Sequence, residues 1–284
     1  MNKNLALDAM LARAKRPLSL PDSFQGVDDA VRSPTADAQR IADAVGMDQA
    51  MASRVLKIAN SPLYSFSTKV DTIARAVAVI GTRQVRDLAL SSTILELCNG
   101  MMCPGIAASD FWTHSFAVGS LARTMAANRR DPNPERYFLA GMLTTIGRLI
   151  LSQIEPEMIT HCIAENKAGT LLHHCETKAF GFHQGEMSAA LMDRWLLPQV
   201  LVHCVEGQYG PITGQSHLSD AALIHGCSVL ITSAGIGNCG ECMALPLDPS
   251  AWDLLHLDPQ SLPDLMAEVS ETATSLCSLI ETTA

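Results

Sequence analysis

Aromatic side chains are scarce in this chain: three Trp, three Tyr and seven Phe make up 5% of 284 residues. Alternation of apolar and polar positions is nearly absent too, which argues against sheets with one buried face. Charged residues are thin at 17%, and a basic excess is missing. Twenty Lys and Arg stand against 29 Asp and Glu, a net charge of −9 with a pI near 5.4. That balance disfavours broad attraction to phosphate backbones or anionic lipid, so neither nucleic acid nor membrane is expected as a partner. The opening MNKNLALDAMLARAKRP lacks the uninterrupted apolar stretch of a signal peptide, and no segment reads as long enough to span a bilayer. A cytoplasmic protein is the expectation. Internal repeats and low-complexity tracts are missing as well.

Nine cysteines are present, an odd number, several inside apolar helical runs. They fit reduced, buried thiols better than a disulfide framework. Only Cys239-Gly-Glu-Cys242 has ligand-like spacing, and the second pair that a structural zinc site needs does not follow. No cofactor is expected, and a redox role for Cys239 and Cys242 stays open.

What the chain does have is 48% hydrophobic residues recurring at spacings of three and four from end to end. The fold class is therefore all-α. A first helix is expected near Leu5–Lys15, followed by a proline-flanked loop. Thr35 is a candidate N-cap for a helix through Val45, and Asp48 for the next through Ala59. Gly81 separates two helices, over TIARAVAVI and TRQVRDLALSSTILEL. Residues 99–110, NGMMCPGIAASD, interrupt the helical pattern and suggest a boundary. Beyond it helices are expected near 110–128, 135–152, 156–168, 170–181, 185–197, 198–207, 219–234 and 263–281. The last repeats Leu265, Val269, Leu276 and Ile280, and should dock on the body.

The stretch FLAGMLTTIGRLIL, residues 138–151, has the frame of a metal-phosphohydrolase helix. An imidazole and a carboxylate at 144 and 145 could hold a divalent ion and activate its water. Thr144 and Thr145 stand there instead, and neutral hydroxyls are poor ligands for such an ion.

VLKIANSPLYSF, TIARAVAVIGTRQVRDLAL, FWTHSFAVGSLARTMA and FLAGMLTTIGRLIL, in that order and spacing, resemble the HD-related output domain, the HDOD family, over residues 17–235. The tail SAWDLLHLDPQSLPDLMAEV resembles that family's C-terminal extension. The resemblance implies an N-terminal helical subdomain over 1–104 packed on an HD-like helical subdomain over 105–284. It also implies a bacterial signalling and regulatory module, related in fold to the HD phosphohydrolases but without their full ligand set. His114 matches the first histidine of the ancestral set, and Thr144 and Thr145 the His-Asp pair. Family members often read Gly-x-Asp-His-x-Glu where this chain reads GFHQGE. Gly181 and Glu186 are kept, His183 and Gln184 replace the Asp-His, and Glu176 fits the pattern.

The resemblance leads to a non-catalytic regulatory domain acting by protein–protein contact, with a small ligand as a further option in a vestigial pocket. That pocket would comprise His114, Thr144, Thr145, Glu176, His183, Gln184 and Glu186. Partners would be a kinase, a response regulator or a cyclic-dinucleotide enzyme, since no sensor or output domain is recognisable in the chain. Tyr64 and Phe66, aromatics in a polar loop, are candidate partner-binding residues, although a fold-back onto the N-terminal helices fits equally well. On its own, His114 reads as a buried neutral imidazole bonded to a carbonyl. Two alternatives remain: a metal-dependent phosphohydrolase with a rearranged set around His114, His173, Glu176 and His183, and a DNA-binding regulator presenting Arg83, Gln84 and Arg86 from helix 82–97. The acidic residues Asp87 and Glu96 on that helix weigh against the second.

Overall fold

A computed structural model describes residues 3–64, 66–210, 217–255 and 258–281. Ser65 of the aromatic loop, His256 and Leu257 of the tail, and the side chain of Ile280 lie outside the described residues. Six helices come first: α1 (Lys3–Ala12), α2 (Asp22–Arg32), α3 (Ala38–Gly46), α4 (Gln49–Ala59), α5 (Ile73–Ile80) and α6 (Thr82–Leu97). Next are α7 (Ala108–Asn128), α8 (Glu135–Leu143), α9 (Ile146–Ile154), α10 (Pro156–Lys167), α11 (Leu172–Phe180) and α12 (Gln184–Arg194). The chain continues with α13 (Gln199–Glu206), a 3-10 turn (Gly207–Tyr209), α14 (Leu218–Ser233), α15 (Pro249–Leu255) and α16 (Leu262–Glu281). Among the described residues there is no strand, and the fold is all-α.

The expected helices mostly appear, with corrections that have local causes. The first helix runs Lys3–Ala12 rather than 5–15. Residues 22–32, the start of which falls in the expected proline-flanked loop and the rest of which carries no assigned element, form α2, burying Phe24, Val27 and Ala30 at three-residue spacing. The N-cap of α3 is Asp37, not Thr35: its carboxylate accepts from Arg40 N at 2.7 Å, while the Thr35 hydroxyl accepts from the Arg40 side chain at 3.0 Å. Asp48 caps α4 as expected, accepting from Met51 N at 2.9 Å. The short α15 was also missed.

The most consequential departure is that 135–152 is not one helix. It breaks at Thr144–Thr145 into α8 and α9, with Thr145 at φ −104°, ψ −5°. The Thr144 hydroxyl donates back to Gly141 O at 2.7 Å. Two successive β-branched residues, one of them bonding the backbone of its own turn, favour such an interruption. By length and composition the span Glu135–Ile154 is apolar enough to cross a membrane, contrary to the sequence reading, but 89% of its 18-residue apolar window is buried inside the protein.

Helix α7 is the axis of the second half. It packs against α8, α14 and α16, so the final helix docks on the body as its stripe predicts. The α7–α8 crossing is close because Gly119 faces Gly141: a Cβ on Gly141 would lie 2.6 Å from Gly119 Cα. Of the first six helices, α6 packs on α8 and α4 touches α16. Backbone meeting backbone leaves no flexible side chain to yield, so Gly141→Ala should destabilise the protein by about 1–3 kcal/mol, the range of core overpacking. Urea denaturation should show a lower midpoint with an unchanged slope.

Candidate functional site

Among the described residues Arg148 is the largest fully buried side chain, at 0% exposure. It sits in the first turn of α9, just past the Thr144–Thr145 break, in a mostly apolar helix. Its Nε donates to Glu176 Oε1 at 2.7 Å, and its Nη1 to the Cys239 carbonyl at 2.7 Å. Its Nη2 donates to Glu241 Oε1 at 3.0 Å and to the Tyr209 hydroxyl at 3.2 Å. Burial works against the charge, but Glu176, Tyr209 and Glu241 together hold the guanidinium protonated well above its ordinary range. Burial raises the Glu241 carboxyl above its usual value despite Arg148 beside it.

The other oxygen of Glu176 accepts from Gln184 N at 3.0 Å, so one carboxylate ties the cation to the first residue of α12. Gln184 Nε2 donates to the Tyr209 hydroxyl at 2.7 Å and to Gln208 Oε1 at 3.1 Å. Gln208 Nε2 then donates to Thr144 O at 3.0 Å, satisfying a carbonyl at the helix break. Thr145 and Ser115 share a hydroxyl–hydroxyl bond of 2.7 Å that links α9 to α7. Gly147 makes the α9–α12 approach possible, its N–H donating to Ser188 Oγ at 2.8 Å; a Cβ there would run into the Gln184 carbonyl.

His114, on α7, is buried and bonds Ile236 O through Nδ1 at 3.2 Å. That is the buried, carbonyl-bonded imidazole expected, with one addition: Cys239 lines the same cavity as the ring. The loop after α14 delivers Cys239 there. Asn238 N donates to Asp110 O at 2.9 Å, and Gly237, at φ +65°, lies flush on α7, where a Cβ would meet His114 N. A cavity of about 30 Å³ lies among these side chains. His114, Thr144, Thr145, Arg148, Gln184, Gln208, Tyr209, Ser228, Cys239 and Glu241 line it.

The family model for the HDOD domain matches residues 18–211. The chain belongs to the HDOD domain family. The matched span stops short of the expected 235. A Shewanella amazonensis SB2B protein carrying a phosphohydrolase name shares the fold at TM-score 0.76 and 21% identity, over 97% of this chain and 98% of that one. An HDOD domain protein of unknown function from Geobacter sulfurreducens superposes at TM-score 0.75 and 20% identity, over 94% and 97%. An uncharacterised Treponema pallidum (strain Nichols) protein is 22% identical over 193 residues, 66% of this chain and 36% of that relative, so the chain spans about a third of its length.

Within this HDOD fold the residues singled out from sequence separate into two groups. His114, Thr144, Thr145 and Gln184 line the cavity, and Glu176 stands behind it on Arg148. His183 and Glu186 form a capping box at the start of α12: His183 Nδ1 accepts from Glu186 N, and Glu186 Oε2 accepts from His183 N. Glu186 also pairs with Lys3 of α1. They are not among the cavity-lining residues.

A metal ion does not fit this arrangement. A guanidinium already takes up Glu176 and Glu241, and among the described residues no three His, Cys, Asp or Glu side chains converge in ligand fashion. His173 stacks on Tyr209 with centroids 4.4 Å apart, and meets His183 edge-on at 6.1 Å. For the helix 82–97 reading, Arg86 is bonded to Asp28 at 2.6 Å and Asp87 at 2.9 Å, and Gln84 donates to Pro132 O. Only Arg83 of the three named residues is left exposed. Tyr64 stacks on Phe66 at 5.5 Å with Arg123 over its ring at 4.3 Å, while Phe66 is 39% exposed. The loop is thus folded back and partly presented.

Sequence reasoning missed Arg148, Gln208, Tyr209, Cys239 as a partner of His114, and Glu241. For Arg148 there was a signal, a lone cation inside GRLIL. The others carry none.

Arg148→Met, close in volume and apolar, leaves Glu176 buried and unpaired. It should cost about 3–5 kcal/mol, and adding Glu176→Gln should return part of that in a urea-denaturation double-mutant cycle. Burial, reinforced by His174 and His183, lowers His173 from 6.5 to about 4. Between those values the unfolded chain takes up a proton that the folded one refuses, so stability should fall as pH drops from about 6.5 towards about 4. His173→Gln should flatten that part of the stability profile.

Proposed function

We propose that this HDOD domain is a non-catalytic regulatory module of the cytoplasm that acts through protein–protein contact. Its division at about residue 104, into 1–104 and 105–284, belongs to the same reading. The observation that carries it is Arg148. A guanidinium locked between Glu176 and Glu241 supplies fixed positive charge at the pocket and offers no open coordination position at which to activate water. The cavity of about 30 Å³ has room for small molecules of water size rather than a nucleotide. Regulation by a nucleotide inside the pocket is therefore disfavoured, and the outer surface is left as the working part. Tyr64 and Phe66, which present a stacked pair at the loop after α4, are the proposed contact residues. A signalling protein, such as a kinase, response regulator or cyclic-dinucleotide enzyme, is the proposed class of partner.

The test is metal and activity analysis of protein purified without chelator. Expected are substoichiometric iron and manganese and no phosphomonoesterase or phosphodiesterase turnover. Stoichiometric metal that disappears in His114→Ala together with turnover would overturn the reading in favour of a rearranged metallohydrolase. Cross-linking in native extract should then give adducts on the Tyr64–Phe66 loop that Phe66→Glu abolishes without moving the denaturation midpoint.

A further inference from the structure

Cys239 differs from the protein's other buried thiols. Burial pushes Cys98 up to about 12 and Cys162 to about 11, the ordinary fate of a thiol in an apolar interior. Cys239 is just as buried, and desolvation opposes its ionisation too. Yet the imidazole of His114 across the same cavity, with the Arg148 guanidinium behind, holds it below its ordinary value. The imidazole is displaced the other way: burial lowers it, but Cys239 and the Ile236 carbonyl together hold it raised. The two shifts are reciprocal, each group favouring the charged form of the other.

Three further observations bear on the same place. Cys239 borders the cavity, whose roughly 30 Å³ is about twice the volume that one water-sized molecule needs, enough for the two oxygens of a small peroxide. Two buried polar atoms on residues lining that cavity, Gln184 Oε1 and Ser228 Oγ, have no hydrogen-bond partner among the described residues, and Gln184 is only 1% exposed. Buried polar atoms without partners are rare and point to a polar guest. A second thiol follows three residues later. Cys242 is exposed, its Sγ donating to Asn166 Oδ1 at 2.8 Å, and Gly240 between the two takes φ +100°.

We propose that Cys239 and Cys242 are a peroxide-oxidised thiol–disulfide pair, with the cavity beside His114 as the site that admits the hydroperoxide. The Cys239 thiolate attacks one peroxide oxygen. An S–O bond forms, the O–O bond breaks, and the leaving oxygen takes the proton from the His114 imidazolium, departing as water from hydrogen peroxide. Sulfur is oxidised by two electrons to a sulfenic acid and the peroxide is reduced by two. Cys242 sulfur then attacks Cys239 sulfur; an S–S bond forms, the S–O bond breaks, and the hydroxyl leaves with the Cys242 proton as a second water. Cys239 and Glu241 supply two of Arg148's four partners, so the disulfide would rebuild the turn that holds the buried cation. The pair would operate whether or not the protein works by surface contact.

The experiment treats the intact native chain with hydrogen peroxide in slight excess, alkylates the remaining thiols and maps the cysteines by peptide mass spectrometry. A Cys239–Cys242 disulfide that forms before any other cysteine oxidises, and that a dithiol reverses, is the expected result. In Cys242→Ser the reaction should stop at a Cys239 sulfenic acid that dimedone traps. The wild-type rate should fall by less than about ten-fold between pH 8 and about pH 6, where an unassisted thiol loses roughly a hundred-fold of its thiolate. The proposal is overturned if native Cys239 stays alkylatable while other cysteines oxidise, or if its rate follows the unassisted profile. Because both overturning results are read on the wild-type chain, they stand even if Cys242→Ser does not fold.

Discussion

A buried guanidinium must be surrounded by acceptors or it cannot stay buried, and that constraint organises the second half of this protein. Moving one ion out of water costs several kcal/mol even after relaxation, and the loss is offset only when geometry is good and the remaining donors are satisfied. Arg148 meets the condition with acceptors from separate segments: α11 gives Glu176, the 3-10 turn gives Tyr209, and the loop after α14 gives the Cys239 carbonyl and Glu241. None can shift without exposing the charge to a partner deficit. A cation in the core thus fixes the relative positions of elements that share little apolar surface near it.

The helix break belongs to the same network. Splitting 135–154 at Thr144 and Thr145 frees carbonyls that a continuous helix would have used, and a buried carbonyl needs a donor. Gln208 supplies it, and the same residue accepts from Gln184, which in turn donates to Tyr209 on Arg148. The two hydroxyls are therefore structural parts of the site. One closes the last turn of α8 and the other bonds Ser115 on α7.

Much of the fold was legible because helical burial repeats over short distances along the chain. The Asp48 cap, the Gly81 turn and the docking stripe of α16 depend on residues within a few turns of one another, and sequence spacing reports them directly. Helix α2 was lost to its flanking prolines and its Gly26, although Phe24, Val27 and Ala30 carry the period. The site was legible only in part, and for the opposite reason. The partners of Arg148 lie 28, 61, 91 and 93 residues away, and no local pattern joins them. The burial of His114 against a carbonyl follows from its apolar helical face. What could not be read was that Cys239, 125 positions later, would be laid against the ring by a glycine whose missing side chain lets the loop touch α7.

A tethered guanidinium and a bound metal ion are alike in charge sign and unlike in almost everything else that matters here. A metal's contribution to stability depends on the free concentration of the ion, because binding shifts folding by mass action. Arg148 is always at its site, so the pocket keeps its shape in any ionic milieu. A metal also brings exchangeable positions, whereas the guanidinium's hydrogens are directed at fixed acceptors. With the charge held so firmly, the chemistry left to the pocket belongs to its uncommitted groups, and those converge on the Cys239–His114 side of the cavity. A fixed guanidinium does not compete for the Cys239 thiol as a metal ion would, which is the condition that the oxidation proposed above requires.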